Sequence, residues 1–175
     1  MRDGLWDSDQ KIFANRFANG TFSNRISPTS FYALQTNAPS EEQARTMMVA
    51  WLRNSSRFCV GGDDRSDECY WGPPSISADD PAFPPLGYWR GYVWGPMIQL
   101  VYWGLENYAE AVPEVKAAKA ALADQAGAMF LNMWRRHGHV CENYSPWKNA
   151  TDCTGDRFYH WGGLAGLAGL VEAGF

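Results

Sequence analysis

Tyr88-Trp89-Arg90-Gly91-Tyr92-Val93-Trp94-Gly95-Pro96 runs directly into Met97, Leu100, Val101, Gly104, Leu105 and Tyr108, which recur at helical spacing. Proline is tolerated in the first turn of a helix, so the helix starts near Pro96 and the aromatic run before it forms a loop at its N-terminal end. Trp89 and Trp94 offer flat aromatic faces and Arg90 a fork of donors. Core packing under the helix start is the competing use of the two indoles, and an ion pair that of the arginine.

The same pattern extends in both directions. Downstream, Pro113 to about His137 reads as the clearest helix, with Val115, Ala118, Leu122, Ala126, Met129 and Met133 on its buried face and Gly138 as the stop. A last helix spans about His160 to Glu172. Its Gly162, Gly163, Gly166 and Gly169 are costly in a helix interior and imply close backbone approach to a neighbour. Upstream, Ser40 caps a helix whose Gln43 completes a capping box and whose Ala44, Met47, Met48, Trp51 and Leu52 form one apolar face. Ser27-Pro28 opens a shorter helix through Phe31 and Leu34. Ala18-Asn19-Gly20, between Lys11–Phe17 and Thr21–Ile26, reads as a β-hairpin turn. Residues 54–86, rich in Gly, Pro, Ser and Asp, form a loop too long for a plain connection. No strand–helix alternation and no repeat of 20–50 residues is visible. The expectation is an all-α chain with long loops and a short β-hairpin near the N-terminus.

Composition bounds the function. The 175 residues are 46% hydrophobic and 19% charged, enough for a folded core, and the net charge of -4 argues against nucleic-acid or anionic-membrane partners. No apolar stretch is long enough to span a bilayer. Nine Trp exceed what a core of this size needs, so some aromatic surface is available to a ligand.

Cys141-Glu142-Asn143-Tyr144-Ser145-Pro146 follows the long helix. A carboxylate on a loop at a helix end can project into a cleft and activate water, the role of the base in an inverting glycosidase; an ordinary surface glutamate is the alternative. The four cysteines fall into two local pairs, Cys59 with Cys69 and Cys141 with Cys153, out of three possible connectivities. Disulfides there would tie down two loops. A metal site on His137, His139 and Cys141 matches no standard zinc spacing, and the acidic run Asp63 to Glu68 lacks the order of an EF-hand; no metal and no cofactor is expected. Even cysteines and sequons at Asn19, Asn54, Asn143 and Asn149 point to the secretory lumen or the extracellular space, although Met1 to Trp6 carries no apolar signal core. A chain that begins inside a longer protein reconciles the two.

Four motifs taken in order carry a resemblance: Arg25-Ile26-Ser27-Pro28-Thr29-Ser30-Phe31-Tyr32, Tyr88 to Trp94, Glu142-Asn143-Tyr144-Ser145-Pro146, and Phe158-Tyr159-His160-Trp161-Gly162. Their order across nearly the whole chain resembles glycoside hydrolase family 63, which includes processing α-glucosidase I and mannosylglycerate hydrolases. The resemblance implies the C-terminal portion of an (α/α)6 toroid and inverting hydrolysis of α-glycosidic bonds in an oligosaccharide or glycoside. It implies Glu142 as general base, Trp89 and Trp94 in the sugar pocket, and Arg90, Tyr144 and Trp161 as further substrate-binding positions. The family's general acid precedes the Arg-Ile-Ser-Pro-Thr motif. The expectation is therefore a partial catalytic domain over residues 1–175 that lacks the N-terminal helices and the acid loop, has the missing part of the same barrel as partner, and is inactive alone. The alternatives are a non-catalytic carbohydrate-binding or interaction module and a trehalase-like enzyme.

Overall fold

Proline in the first turn opens three of the helical segments, left-handed residues end two of them, and a capping box starts another. The computed structural model describes residues 2–61, 70–150 and 152–175. A single turn, α1 (Arg2–Leu5), leads into β1 (Trp6–Asp7), which pairs antiparallel with β2 (Ile12–Phe13), Trp6 facing Phe13. The Asp7 carboxylate closes the link between them by accepting from the amides of Asp9 at 2.9 Å and Gln10 at 3.0 Å. The Asn19-Gly20 turn forms as expected: Phe17 N–H donates to the Thr21 carbonyl at 2.8 Å, and Arg16 bridges Phe22. The paired strands themselves lie before that turn.

Pro28–Thr36 is a 3-10 helix that buries Phe31 and Leu34 at the three-residue spacing of that geometry, and Asn37 in the left-handed region ends it. Helix α2 (Glu41–Met47) carries the capping box, with Gln43 N–H to Ser40 Oγ at 3.2 Å and Ser40 N–H to Gln43 Oε1 at 2.9 Å. A π turn over Met48–Leu52 continues it, and all five expected apolar positions are buried. Helix α3 (Gly95–Glu106) buries Ile98, Val101, Tyr102 and Leu105, whereas Met97 and Leu100 are only half-buried. Gly104 and Tyr108 are buried as expected, and Gly95 packs on the start of the last helix, where an added Cβ would lie 3.1 Å from the Gly162 carbonyl oxygen.

Helix α4 (Pro113–His137) buries all six expected positions and ends on Gly138 at φ 70°. A 3-10 turn over His160–Gly163 precedes α5 (Leu164–Glu172). The glycines of α5 do permit close approach: a Cβ on Gly169 would lie 3.4 Å from both the Ala123 carbonyl oxygen and Gly127 Cα of α4. One polar cluster pins the three helices together. Glu172 on α5 accepts from the Tyr102 hydroxyl at 2.7 Å and pairs with Lys119 of α4 at 3.0 Å. Strands β3 (Asn143–Tyr144) and β4 (Cys153–Thr154) form a second short hairpin. The apolar interior is a single cluster running from Ile12 to Ala168. Among the described residues, no helix is long and apolar enough to cross a membrane.

Candidate active site

Backbone pairing brings the two informative segments together. Val93 N–H donates to the Tyr144 carbonyl at 2.8 Å and Tyr144 N–H returns the bond at 2.9 Å. Just before this ladder, Gly87 and Arg90 exchange backbone bonds of 2.8 and 2.9 Å, which closes a tight turn with Tyr88 and Trp89 at its tip. Gly91, at φ 118°, donates to Ser75 Oγ at 2.9 Å and anchors the turn's exit. The tip therefore sits over the residue that precedes Asn143-Tyr144, which is Glu142.

Glu142 is 7% exposed. Burying a carboxylate is costly unless its oxygens are hydrogen-bonded, and here both are. The Tyr88 hydroxyl donates to Oε1, and the Asp156 amide donates to Oε2 at 3.1 Å. The bond to Glu142, with desolvation second, pushes the Tyr88 phenol up to about 12. Gly155 forms the floor: at φ 77°, an added Cβ would lie 2.0 Å from Oε2. The Cys141–Cys153 disulfide, with Cα atoms 5.2 Å apart, holds the two ends of this loop, as the local pairing anticipated. Cys59 is disulfide-bonded too, while Cys69 and the acidic run Asp63 to Glu68 lie outside the described residues.

The aromatic residues form one cluster beside the carboxylate. Trp89 stacks on Trp94 with centroids 3.7 Å apart and an interplanar angle of 15°. Tyr88 meets Trp94 edge-on at 4.7 Å, and Trp161 meets it edge-on at 5.9 Å. Two of the expected pocket residues have other work. Trp94 is fully buried under Trp89, with its indole N–H on the Tyr88 carbonyl at 3.0 Å, so it offers no open face and instead supports Trp89, which is 47% exposed. Tyr144 is buried and its hydroxyl donates to the Gly162 carbonyl at 2.9 Å, which ties the base segment to the start of the last helix. Arg90 is exposed, its guanidinium lying against Gly87. The Trp161 indole nitrogen is buried without a hydrogen-bond partner among the described residues.

Tyr88, Gly155 and Asp156 are the residues that sequence reasoning did not single out. Tyr88 stood in the quoted motif, but its partner depends on the turn that aims it. His137, His139 and Cys153 bring ligand atoms within 4.8 Å of one another, yet the Cys153 sulfur is bonded to Cys141 and is not a free thiolate. Among the sequons, Asn143 is buried and accepts from the Thr154 hydroxyl, which closes it to modification, while Thr151 of the Asn149 sequon lies outside the described residues.

A family model described as mannosylglycerate hydrolase MGH1-like glycoside hydrolase domain matches residues 1–162. Among solved structures, the chain is similar to a GH63 mannosylglycerate hydrolase from Thermus thermophilus in complex with glucose, at 22% identity and a TM-score of 0.68, over 95% of this chain and 36% of that one. It is similar to neutral trehalase Nth1 from Saccharomyces cerevisiae at 19% identity and a TM-score of 0.68, over 96% of this chain and 27% of that one. No match is found among curated proteins. The chain thus spans about a third of the hydrolase it matches, and its helices form part of an (α/α)6 toroid fold.

Proposed function

We propose that this chain, which belongs to the MGH1-like glycoside hydrolase domain family of GH63, supplies the general base and part of the sugar pocket of an inverting α-glycosidase. The observation that carries the reading is Glu142: a buried carboxylate, fixed through both oxygens, beside an exposed indole. In an inverting reaction a base takes a proton from water as the water attacks the anomeric carbon, while a separate carboxylic acid protonates the departing oxygen. Glu142 is the base in this scheme. Trp89 gives the sugar ring its stacking face, Arg90 serves its hydroxyls, and Trp161 lines the site edge-on to Trp89 and Trp94.

The acid and the remaining pocket walls come from further helices of the same barrel. A groove of about 670 Å³ along α4 and α5, lined by Leu131, Leu164, Leu167 and Leu170, is the kind of apolar face such helices would cover. The disulfide suits the secretory lumen or the extracellular space.

The experiment is Glu142→Gln in the full-length protein, assayed on α-glucosides and mannosylglycerate with sugar binding measured alongside. Hydrolysis falls by a factor on the order of 10³ or more while binding persists. Near-normal turnover refutes the assignment. Binding with no hydrolysis even by the unsubstituted protein favours a non-catalytic carbohydrate-binding or interaction module. Preference for α,α-trehalose favours the trehalase-like alternative.

A further inference from the structure

The two oxygens of Glu142 are held in different ways. Oε2 rests on backbone: the Asp156 amide donates to it and Gly155 lies beneath it. Oε1 meets a side chain carried on the tip of a separate turn, from a segment that reaches Glu142 through the Val93–Tyr144 ladder. We propose that Tyr88 is a positioning residue for the base: its hydroxyl fixes Oε1 and leaves one lone pair of that oxygen to receive the proton of the attacking water. The proposal rests on the reading of Glu142 as base and adds the residue that aims it.

Three features support it. A hydrogen bond is directional, so the Tyr88 hydroxyl restricts where Oε1 can point, and it does so without carrying a charge of its own. The phenol is held in its protonated form, pushed up to about 12, so it stays a donor at any pH at which the base works and does not itself shuttle protons. The ring is seated independently of the hydroxyl, edge-on to Trp94 at 4.7 Å and to Trp89 at 5.6 Å. Removing the oxygen alone therefore isolates the contact from the packing.

The test is Tyr88→Phe in the full-length protein. The aromatic contacts remain, so the thermal midpoint and KM stay close to those of the parent. The value of kcat falls by about 10-fold or more, the size of effect expected when a catalytic group loses its aim. The pocket is otherwise untouched, so the loss appears in kcat and not in KM. Carbon-13 relaxation of the labelled Glu142 side chain gives a readout independent of turnover: the side chain becomes more mobile in Tyr88→Phe. A Glu142 relaxation profile that superimposes on that of the parent overturns the positioning role, whatever happens to kcat. The two readings fail separately. Turnover retained in Glu142→Gln removes the base assignment, and the relaxation data still decide whether Tyr88 holds the carboxylate in place. Turnover lost in Glu142→Gln with Tyr88→Phe unchanged removes only the proposal for Tyr88.

Discussion

Replacing Gly155 with alanine tests whether the floor beneath Glu142 sets its position. Gly155 lies at φ 77°, and an added Cβ would sit 2.0 Å from Oε2, 2.5 Å from Cβ and 2.8 Å from Cδ of Glu142. Carbon atoms in contact rest at about 3.5–4.0 Å, so the Glu142 side chain must retreat by roughly 1 Å. It has little room to do so. Cys141 is buried and held by the disulfide, the Tyr88 hydroxyl faces Oε1, and the Gly162 backbone packs against the Cys141 carbonyl. A displacement of that size in a catalytic group costs about 10²-fold in rate. The left-handed conformation adds a stability cost of about 1–2 kcal/mol for any residue with a Cβ.

Gly138 separates the two effects. It lies at φ 70°, yet an added Cβ there meets nothing within 4 Å. Gly138→Ala therefore carries the conformational cost alone. In the full-length protein, urea unfolding should show a comparable conformational loss in both variants, with more in Gly155→Ala from the clash. Steady-state hydrolysis should show kcat near normal in Gly138→Ala and about 100-fold lower in Gly155→Ala. A Gly155→Ala protein within a few-fold of parental kcat refutes the claim that this floor fixes the carboxylate. An equal loss of kcat in Gly138→Ala shows that general destabilisation, not contact with Glu142, lies behind the effect.

Two further outcomes follow from other parts of the fold. The Cys141–Cys153 bond closes a loop with a sequence separation of 12, for which chain entropy gives about 3 kcal/mol; the double serine variant should lose stability of that order in urea unfolding, and a loss below about 1 kcal/mol would refute the loop's dependence on it. Glu172 is held below the usual carboxylate range by the Tyr102 hydroxyl and then by Lys119, so its contribution is complete above the unfolded value of about 4.3 and is lost as pH falls through the lower folded value. Glu172→Gln should then be less stable at neutral pH and show a flatter decline on acidification, read from urea midpoints across a pH series; parallel curves for the two proteins would contradict the linkage.

Strong local signals made much of the frame legible in the sequence. Helix α4 repeats its apolar residues over 25 positions between Pro113 and Gly138, so period and punctuation agree. The Ser40–Gln43 box is chemistry within four residues and needs no tertiary context. Helix α3 was harder. Met97, Leu100 and Trp103 are apolar yet half-buried or exposed, so hydropathy alone points to a different inner face. Strands of two residues carry no period at all, which hid β1 and β2. In the site, motif order pointed to Glu142, but the division of labour among the aromatics was not readable. Whether Trp94 faces a ligand or lies beneath Trp89 depends on the Gly87–Arg90 turn and on the pairing of Val93 with Tyr144, contacts between segments far apart in the chain.

The choice of partners for Glu142 fits the work proposed for it. A buried carboxylate is commonly stabilised by an arginine or lysine, and such a cation weakens it as a base by favouring the charged form strongly. Among the described residues, Glu142 makes no ion pair; a phenol and a backbone amide satisfy it instead. Neutral donors fix the geometry without placing a cation beside the carboxylate. The fold supplies them from opposite directions. The Tyr88 turn lies just before α3, and Asp156 lies just after β4, whose partner strand β3 begins next to Glu142. Tyr144 then ties β3 to the Gly162 carbonyl at the start of the last helix. A carboxylate held on a loop by one of these segments alone would keep its charge but not its direction. Held between them, its direction follows from the packing of two helix starts against one short ladder, which is why a hydrophobic residue such as Val93, with no contact to substrate in this scheme, belongs to the machinery that aims the base.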